Sequence, residues 1–174
     1  MSLNYMLSLA KYLNKQQPFY EFLNEINDYI KTVNPGELTL FYDYLTDFNC
    51  LEFDSDMIML MYCALWLIPN RLNQQCQIQG ADNIYTTFLK SVMDDYKDIF
   101  NNRDYQIIEY NMNYSIYQRS NLLIILNHLD VDLKITLPEN YQNQVLYCVN
   151  CGDELEVEKD VELYPYGFYL LIKE

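Results

Sequence analysis

The spacing of apolar residues divides the chain into a helical first part and a β-rich second part. In residues 2–13, 19–33 and 82–100, apolar side chains recur at every third or fourth position, which is the period of an amphipathic helix. Pro18 separates the first two segments and Asn34-Pro35-Gly36 ends the second, because proline and glycine interrupt helices. These patterns predict three helices that each bury one face.

A further run at residues 57–68 is apolar on every side, which predicts a helix that is buried all round. Asp54 and Ser55 precede it as candidate N-caps, and Pro69 ends it. About 12 apolar residues are too few for a membrane span, which takes ~20. We therefore expect a core helix and no membrane.

After Asn101-Asn102 the apolar residues form short runs that are rich in β-branched and aromatic side chains. Turn-forming residues, including Pro138 and Gly152, lie between them. The runs are at 105–110, 115–119, 122–127, 133–137, 145–149 and 167–172. Several short strands without a helix favour a sandwich or a partly open barrel. The sequence thus predicts an α+β protein, with a mostly helical region at 1–103 and an antiparallel β-sandwich at 104–174.

The composition narrows the range of functions. The chain has 18 Tyr and 8 Phe but only 4 Gly, which predicts a folded protein with an aromatic core. Its formal net charge of −14, with no basic patch, would repel a phosphate backbone, so no nucleic-acid partner is expected. Residues 1–13 lack the basic and apolar regions of a signal peptide, which indicates a cytoplasmic protein.

An odd number of cysteines without a secretory signal predicts free thiols rather than a disulfide framework. Cys148-Val-Asn-Cys151 has the spacing of half a zinc site or of a redox pair. Tetrahedral zinc needs two further ligands, and His128 is the sole histidine. We therefore favour two thiols flanking a β-turn over metal or redox use, and we expect no metal and no cofactor. The remaining cysteines, interpreted as core residues, are Cys50, Cys63 and Cys76.

The other titratable groups do not form an evident catalytic set. His128 follows a predicted strand end and is interpreted as an exposed turn residue, because no Ser, Cys or Asp partner is evident for a general base. The acidic clusters are interpreted as solvated faces rather than as calcium or acid/base carboxylates: Asp54 with Asp56, Asp94-Asp95, and the run at 153–158.

Tyrosines are the candidate ligand-binding residues of the second half. Their rings could stack on the C–H face of a sugar while the hydroxyl binds its rim. Alternation along the strands instead favours core packing or an interface. The six candidates are Tyr110, Tyr114, Tyr117, Tyr164, Tyr166 and Tyr169.

Five phrases follow one another in the second half: Tyr105-Gln-Ile-Ile-Glu-Tyr110, Ile116-Tyr-Gln-Arg119, Leu122-Leu-Ile-Ile-Leu-Asn127, Ile135-Thr-Leu-Pro138 and Leu163-Tyr-Pro-Tyr-Gly167. Their order resembles the C-terminal domain of the α-amylase family of glycoside hydrolases. In that family a strand ending in an aromatic residue and an Arg is followed by an apolar strand ending in Asn. The last strand of the family's domain follows a Leu-x-Pro-Tyr phrase.

Phrases upstream resemble the end of that family's (β/α)₈ barrel. Ala64-Leu-Trp-Leu-Ile-Pro69 is similar to its last long barrel helix, and Ile78-Gln-Gly-Ala-Asp82 to the phrase that closes the eighth barrel strand. Residues 38–44 and 72–78 would then be remnants of barrel strands seven and eight. Two such strands leave open edges, which a homodimer would cover.

The resemblance also places altered residues at the family's active site. Tyr44-Leu-Thr-Asp-Phe-Asn49 stands where the family has Leu-x-Asn-His-Asp, so that Asp47 replaces Asn, Phe48 replaces the substrate-binding His and Asn49 replaces the carboxylate that stabilises the transition state. Asparagine supplies no negative charge for an oxocarbenium-like transition state, and phenylalanine cannot hydrogen-bond a sugar hydroxyl. We therefore assign no catalytic residue here. Asn49 is expected at the C-terminal end of the strand at 38–44 or in the loop after it, beside Gly80.

A complete barrel takes about 250 residues, and the family's nucleophile and acid lie on its earlier strands. The resemblance therefore implies a role in carbohydrate metabolism as part of a longer enzyme, or descent from one, without activity of this chain alone. Its partners would be carbohydrate or the missing part of the barrel. A different class remains open, namely a non-enzymatic interaction or oligomerisation module whose aromatic, acidic surface binds itself or another protein.

Overall fold

The computed structural model describes residues 2–32, 54–67, 84–101 and 105–173. The chain divides into two compact units, Met1–Asp95 and Tyr96–Glu174. The described part of the first unit is helical, and the second unit is mainly β. The proposed barrel strands at 38–44 and 72–78 lie outside the described residues.

The described helices of the first unit are α1 (Ser2–Leu13), α2 (Phe19–Thr32), α3 (Ser55–Trp66) and α4 (Ile84–Asp95). α1 has the bounds that the apolar spacing predicts. The carbonyl of Pro18 accepts the amide of Glu21 at 3.1 Å, which places the proline at the start of α2. Tyr12 of α1 stacks on Phe22 of α2 with ring centroids 5.0 Å apart, and its hydroxyl donates to the carbonyl of Met57 at 3.1 Å.

Most of the described side chains of helix α3 are buried, as its apolar run predicts, whereas Ser55 and Asp56 in its first turn are exposed. A carboxylate oxygen of Asp54 accepts the amide of Asp56 at 3.0 Å, so the predicted N-cap is confirmed. At the other end, the amide of Leu67 donates to the carbonyl of Cys63 at 2.9 Å. The residues of this helix with no exposed surface are Ile58, Leu60, Met61 and Cys63. No described helix has both the length and the apolar character that crossing a membrane requires.

The segment predicted as one helix at 82–100 is two helices in the structure. α4 ends at Asp95, and α5 (Lys97–Asn101) follows within the second unit. The amide of Phe100 bonds back to the carbonyl of Tyr96, which starts a new turn there. Two acidic residues in the last turn of α4 oppose the helix dipole and disfavour its continuation.

The second unit contains β1 (Gln106–Tyr110), β2 (Tyr114–Arg119), β3 (Leu122–Asn127), β4 (Leu133–Thr136), β5 (Gln144–Cys148), β6 (Asp153–Val157), β7 (Asp160–Leu163) and β8 (Phe168–Ile172). Its larger sheet has the order β1-β2-β3-β8-β5-β6, and β4 and β7 form a second sheet. All strand pairs are antiparallel. The chain is thus an α+β protein, as predicted. The short, half-acidic strand β7 was not predicted because it has little β propensity of its own.

The two sheets share one apolar core. All six residues of β3 are buried, because β3 is an inner strand that is covered on both of its faces. Strand β1 lies at one end of the larger sheet and keeps Ile107 half exposed. The core side chains that both sheets contribute include Ile116, Leu123, Ile125, Ile135, Leu146, Val161, Leu163 and Leu171.

The expectation of free thiols at Cys148 and Cys151 is wrong, because the two cysteines form a disulfide. The amide of Gly152 donates to the carbonyl of Cys148 at 2.8 Å, which closes the turn after β5. The Cα atoms of the two cysteines then lie 5.2 Å apart, within the range that a disulfide spans. The prediction rested on the expected compartment, whereas a turn this tight brings the two thiols together locally. Cys63 is a free, buried cysteine, and burial raises the pKa of its thiol.

Candidate functional site

A groove of about 540 Å³ opens on the second unit between the β1–β2 hairpin and the segment that follows β4. We call it the Tyr114 groove. β1 contains a bulge, since Ile107 pairs with Tyr117 and Glu109 pairs with Ile116, and the extra residue between them lines the groove. The lining residues are Ile108, Glu109, Tyr114, Ile116, Thr136, Leu137, Pro138, Glu139, Gln142 and Lys159.

Tyr114 and Glu109 are fixed to each other on one wall of the groove. The Tyr114 hydroxyl donates to Oε1 of Glu109 at 2.5 Å, and Nδ2 of Asn111 donates to the same oxygen at 3.1 Å. Oδ1 of Asn111 accepts the amide of Tyr114 at 3.1 Å, so the hairpin turn itself positions the ring. Burial, followed by the neighbouring Glu109 carboxylate, raises the pKa of Tyr114 to about 12. The phenol therefore remains a hydrogen-bond donor at physiological pH.

The opposite wall combines a short helical turn with polar side chains. The 3₁₀ turn Glu139–Tyr141 begins after Pro138, whose carbonyl accepts the amide of Tyr141 at 2.8 Å. Nε2 of Gln142 donates to the carbonyl of Leu137 at 2.6 Å, which orients its amide group beside the groove. The amide of Leu137 donates to the carbonyl of Lys159 at 2.9 Å. The groove thus has apolar surfaces together with acidic, amide and ammonium groups.

The six candidate tyrosines have different environments. Tyr114 lines the groove, whereas Tyr117 is 1% exposed and belongs to the interior. Tyr110 packs edge-on against the ring of His128, with centroids 6.3 Å apart. Tyr169, like Tyr114, packs against the shared core, but it is not among the residues that line the groove. Tyr164 is 51% exposed and, like the half-buried Tyr166, is not among the residues that line the groove.

The interpretation of His128 as an exposed turn residue is wrong, since it is only 4% exposed. Its amide donates to the carbonyl of Asn113 at 2.9 Å, and its Nε2 lies 2.9 Å from Oγ of Ser115. Burial lowers the pKa of His128 to about 4, although backbone groups of Asn111 and Met112 partly oppose this shift. A Ser–His pair resembles a nucleophile with its base, but Ser115 is fully buried and presents no surface to a substrate.

Two phrases that carry the family resemblance meet in the structure. Nδ2 of Asn127 donates to the carbonyls of Tyr164 and Val131, both at 2.8 Å, and its Oδ1 accepts the amide of Leu129 at 3.0 Å. The buried Asn127 therefore ties the end of β3 to the Leu-Tyr-Pro-Tyr-Gly phrase before β8. Such a residue acts on the fold and not on a ligand.

Arg119, which ends another of these phrases, is also structural. Its guanidinium lies 4.9 Å from the ring centre of Phe100, and one of its nitrogens donates to the carbonyl of that residue at 3.2 Å. Burial lowers the pKa of Arg119 to about 10, so the group stays charged at neutral pH. Arg119 thus attaches α5 to the sheet.

Two described carboxylates, those of Asp54 and Asp160, serve local structure. Asp54 caps α3, and Asp160 accepts the Thr136 hydroxyl at 2.7 Å and pairs with Lys134 at 3.3 Å. The Thr136 hydrogen bond is the main cause that lowers the pKa of Asp160. Across the ranges that the structure describes, no three His, Cys, Asp or Glu side chains are grouped as metal ligands. The altered family positions Asp47, Phe48 and Asn49, like Gly80, lie outside the described residues.

Comparison with known proteins gives structural similarity without sequence matches. No family model matches the chain, and no curated protein matches it. A maltooligosyl trehalose synthase from Sulfolobus tokodaii is 19% identical with a TM-score of 0.41, over 51% of this chain and 12% of that protein. An α-amylase from Anoxybacillus is 14% identical with a TM-score of 0.43, over 61% and 26%. The trehalulose synthase from Pseudomonas mesoacidophila is 18% identical with a TM-score of 0.40, over 50% and 17%.

These solved structures are α-amylase-family enzymes, the family whose C-terminal part the sequence resembles. The chain spans between 12% and 26% of the length of the three proteins.

Proposed function

We propose that the chain acts in carbohydrate metabolism as the C-terminal portion of an α-amylase-type glycoside hydrolase. In this proposal its β unit binds an oligosaccharide in the Tyr114 groove without cleaving it. The ordered phrases of the second half support the relationship to that family. In two of those phrases, Asn127 and Arg119 form hydrogen bonds that stabilise the fold of the β unit.

The composition of the groove is the observation that carries the proposal. A sugar ring has an apolar C–H face and a rim of hydroxyl groups, so it is bound by an aromatic ring together with nearby polar groups. The groove offers the ring of Tyr114 beside the acceptor Glu109 and, on the facing wall, Gln142 and Lys159. Its volume of about 540 Å³ lies within the usual range for small-ligand sites.

Two carboxyl groups line the groove, Glu109 and Glu139, but Glu109 is held as the acceptor of the Tyr114 hydroxyl and of the Asn111 side-chain amide. Both common mechanisms use two carboxyl groups that flank the scissile bond, one as acid and the other as base or nucleophile. The resemblance places the family's nucleophile and acid on barrel strands that precede residue 38. At the position of the family's third carboxylate, this chain has Asn49. The proposal is therefore binding without hydrolysis.

The test is titration of the full chain with maltose and maltotriose, followed by calorimetry or by changes in tyrosine fluorescence. Tyr114→Ala should weaken binding by roughly tenfold, equivalent to about 1.4 kcal/mol. Tyr164→Ala is the matched control, because it removes an exposed tyrosine that does not line the groove. Equal effects of the two substitutions, or no sugar binding by the parent chain, would refute the groove as the site.

A parallel assay measures reducing-sugar release from maltose, starch and sucrose. We expect none above that of a protein-free control. Turnover comparable with that of a complete glucosidase would show that the claim of inactivity is wrong. Sugar binding without turnover is the combination that the proposal requires.

The alternative is a non-enzymatic module that forms a homodimer. The observation that favours it is the end strand β1, where Ile107 is 50% exposed and Tyr105 beside it is 44% exposed. End strands present unpaired backbone groups that a second copy can bind. Sedimentation over a wide concentration range distinguishes the sugar-binding proposal from the dimer. If the parent chain dimerises through β1, Ile107→Lys should shift it to monomer. A parent chain that is strictly monomeric would rule out the alternative.

A further inference from the structure

The two cysteines of the disulfide differ sharply in accessibility. Cys148 ends β5 with no exposed surface, and its side chain is part of the shared core. Cys151 is exposed in the turn that follows. A thiol approaching from solvent can therefore reach the sulfur of Cys151 but not that of Cys148. Such a difference determines which sulfur is attacked in thiol–disulfide exchange.

The disulfide closes a turn that is fastened to β8. Nδ2 of Asn150 donates to the carbonyl of Phe168 at 3.0 Å, and its Oδ1 accepts the amide of Leu170 at 2.8 Å. The amide of Val149 donates to the carbonyl of Leu170 at 2.8 Å. β5 and β8 themselves pair through only two residue pairs. The hydrogen bonds from the turn therefore form a large part of the contact between β5 and β8.

We propose that the Cys148–Cys151 disulfide is a site of reversible thiol–disulfide exchange with a dithiol reductant. A thiolate of the reductant attacks Sγ of Cys151, the Sγ–Sγ bond breaks, and Cys148 leaves as a thiolate that takes up a proton. The second thiol of the reductant loses its proton and attacks the reductant sulfur joined to Cys151. Cys151 is released as a thiol, and the reductant becomes a cyclic disulfide. Two electrons and two protons pass to the protein in all.

The charge around the turn favours an uncharged dithiol. Asp153 lies opposite Cys148 in the β5–β6 register, and Glu154 follows it along the strand. The chain as a whole carries a formal net charge of −14. An anionic thiol would be repelled on approach, whereas a neutral dithiol would not.

The first test treats the native chain with dithiothreitol, without denaturant, and records its circular dichroism. The reductant is then removed, and only after that is the chain unfolded and its free thiols labelled with iodoacetamide, because Cys148 is buried in the native chain. Peptide mass measurement should find label on both Cys148 and Cys151 while the far-ultraviolet circular dichroism is unchanged. After removal of the reductant, an excess of hydroxyethyl disulfide should restore the bond and release two molecules of 2-mercaptoethanol. A disulfide that stays intact until the chain is unfolded would overturn the proposal and indicate a permanent structural bond.

The second test uses two matched variants that each leave one of the cysteines. Cys148→Ser keeps the exposed cysteine and should form a mixed disulfide with hydroxyethyl disulfide, a neutral acyclic disulfide that releases 2-mercaptoethanol, at least roughly tenfold faster than Cys151→Ser, which keeps the buried one. Equal rates would show that the turn does not direct attack to Cys151. In the parent chain, reduction should also speed hydrogen exchange at the amide of Gly152, and unchanged exchange would show that the bond does not hold the turn.

Discussion

At the scale of single residues, burial keeps His128 uncharged. Because its pKa is lowered to about 4, below its usual 6.5, the unfolded chain takes up a proton in a pH range where the native chain does not. The stabilising contribution is therefore complete above pH 6.5 and is lost as the pH falls towards 4. The full loss is about 3 kcal/mol in the free energy of unfolding.

His128→Gln tests this linkage, because glutamine can still reach Oγ of Ser115 but does not titrate in this range. Urea unfolding at pH 7 should find the variant less stable than the parent chain. The difference between the two should shrink at pH 5, where the acidic residues affect both chains equally. A difference that does not change with pH would show that His128 is not held neutral by the fold.

The sequence could not reveal this environment. His128 follows a strand end, which is typical of a turn, and local pattern contains no information about Ser115 or the ring of Tyr110. Both are brought to His128 by the β1–β2–β3 pairing. Asn127 is similar, since the family resemblance identifies its position but not the carbonyls that it binds.

At the scale of elements, the turn before β8 depends on the absence of a side chain at Gly167. A Cβ atom there would lie 2.8 Å from the carbonyl oxygen of Tyr164, the same oxygen that accepts from Asn127. Gly167→Ala should lower the free energy of unfolding by about 2–3 kcal/mol, because a backbone atom must move. Gly152→Ala is the control, with φ of 72° but nothing within 4 Å, and should cost only about 1 kcal/mol. Denaturant unfolding that ranks the two variants in the opposite order would contradict this account.

The spacing of apolar residues was sufficient to predict the bounds of elements that have a regular helical pattern or are buried along their whole length. α1 and β3 have the predicted bounds, because one has regular helical spacing and the other is an unbroken apolar run. The helix break at Tyr96 depends on the acidic residues at the end of α4, and strand β7 depends on pairing with β4. The spacing of apolar residues along the chain gives no information about either. For the candidate site, the sequence identified Tyr114 among six tyrosines but not Glu109, since the bulge in β1 and the packing of the second sheet assemble the groove.

At the scale of the whole molecule, the net charge of −14 affects which partners the chain can bind. The acidic surface disfavours anionic partners such as nucleic acids, and neutral oligosaccharides are unaffected by it. The residues that line the groove all belong to the second unit, so the proposed sugar binding has its own set of residues to substitute. Binding and any residual barrel chemistry can therefore be tested independently.

Asn49→Asp separates sugar binding from hydrolysis. It restores the carboxylate at the position where the resemblance places the family's transition-state stabiliser. One carboxylate without a nucleophile and a proton donor can run neither glycosidase mechanism, so we expect no reducing-sugar release from maltose, starch or sucrose. The same variant should bind maltotriose with the affinity of the parent chain, because the groove residues are unchanged. Asn49→Ser, with no charge, is the matched control for both measurements. Hydrolysis by Asn49→Asp but not by Asn49→Ser would show that the chain retains a nearly complete catalytic site, and the proposal of a binding portion without catalysis would then be wrong.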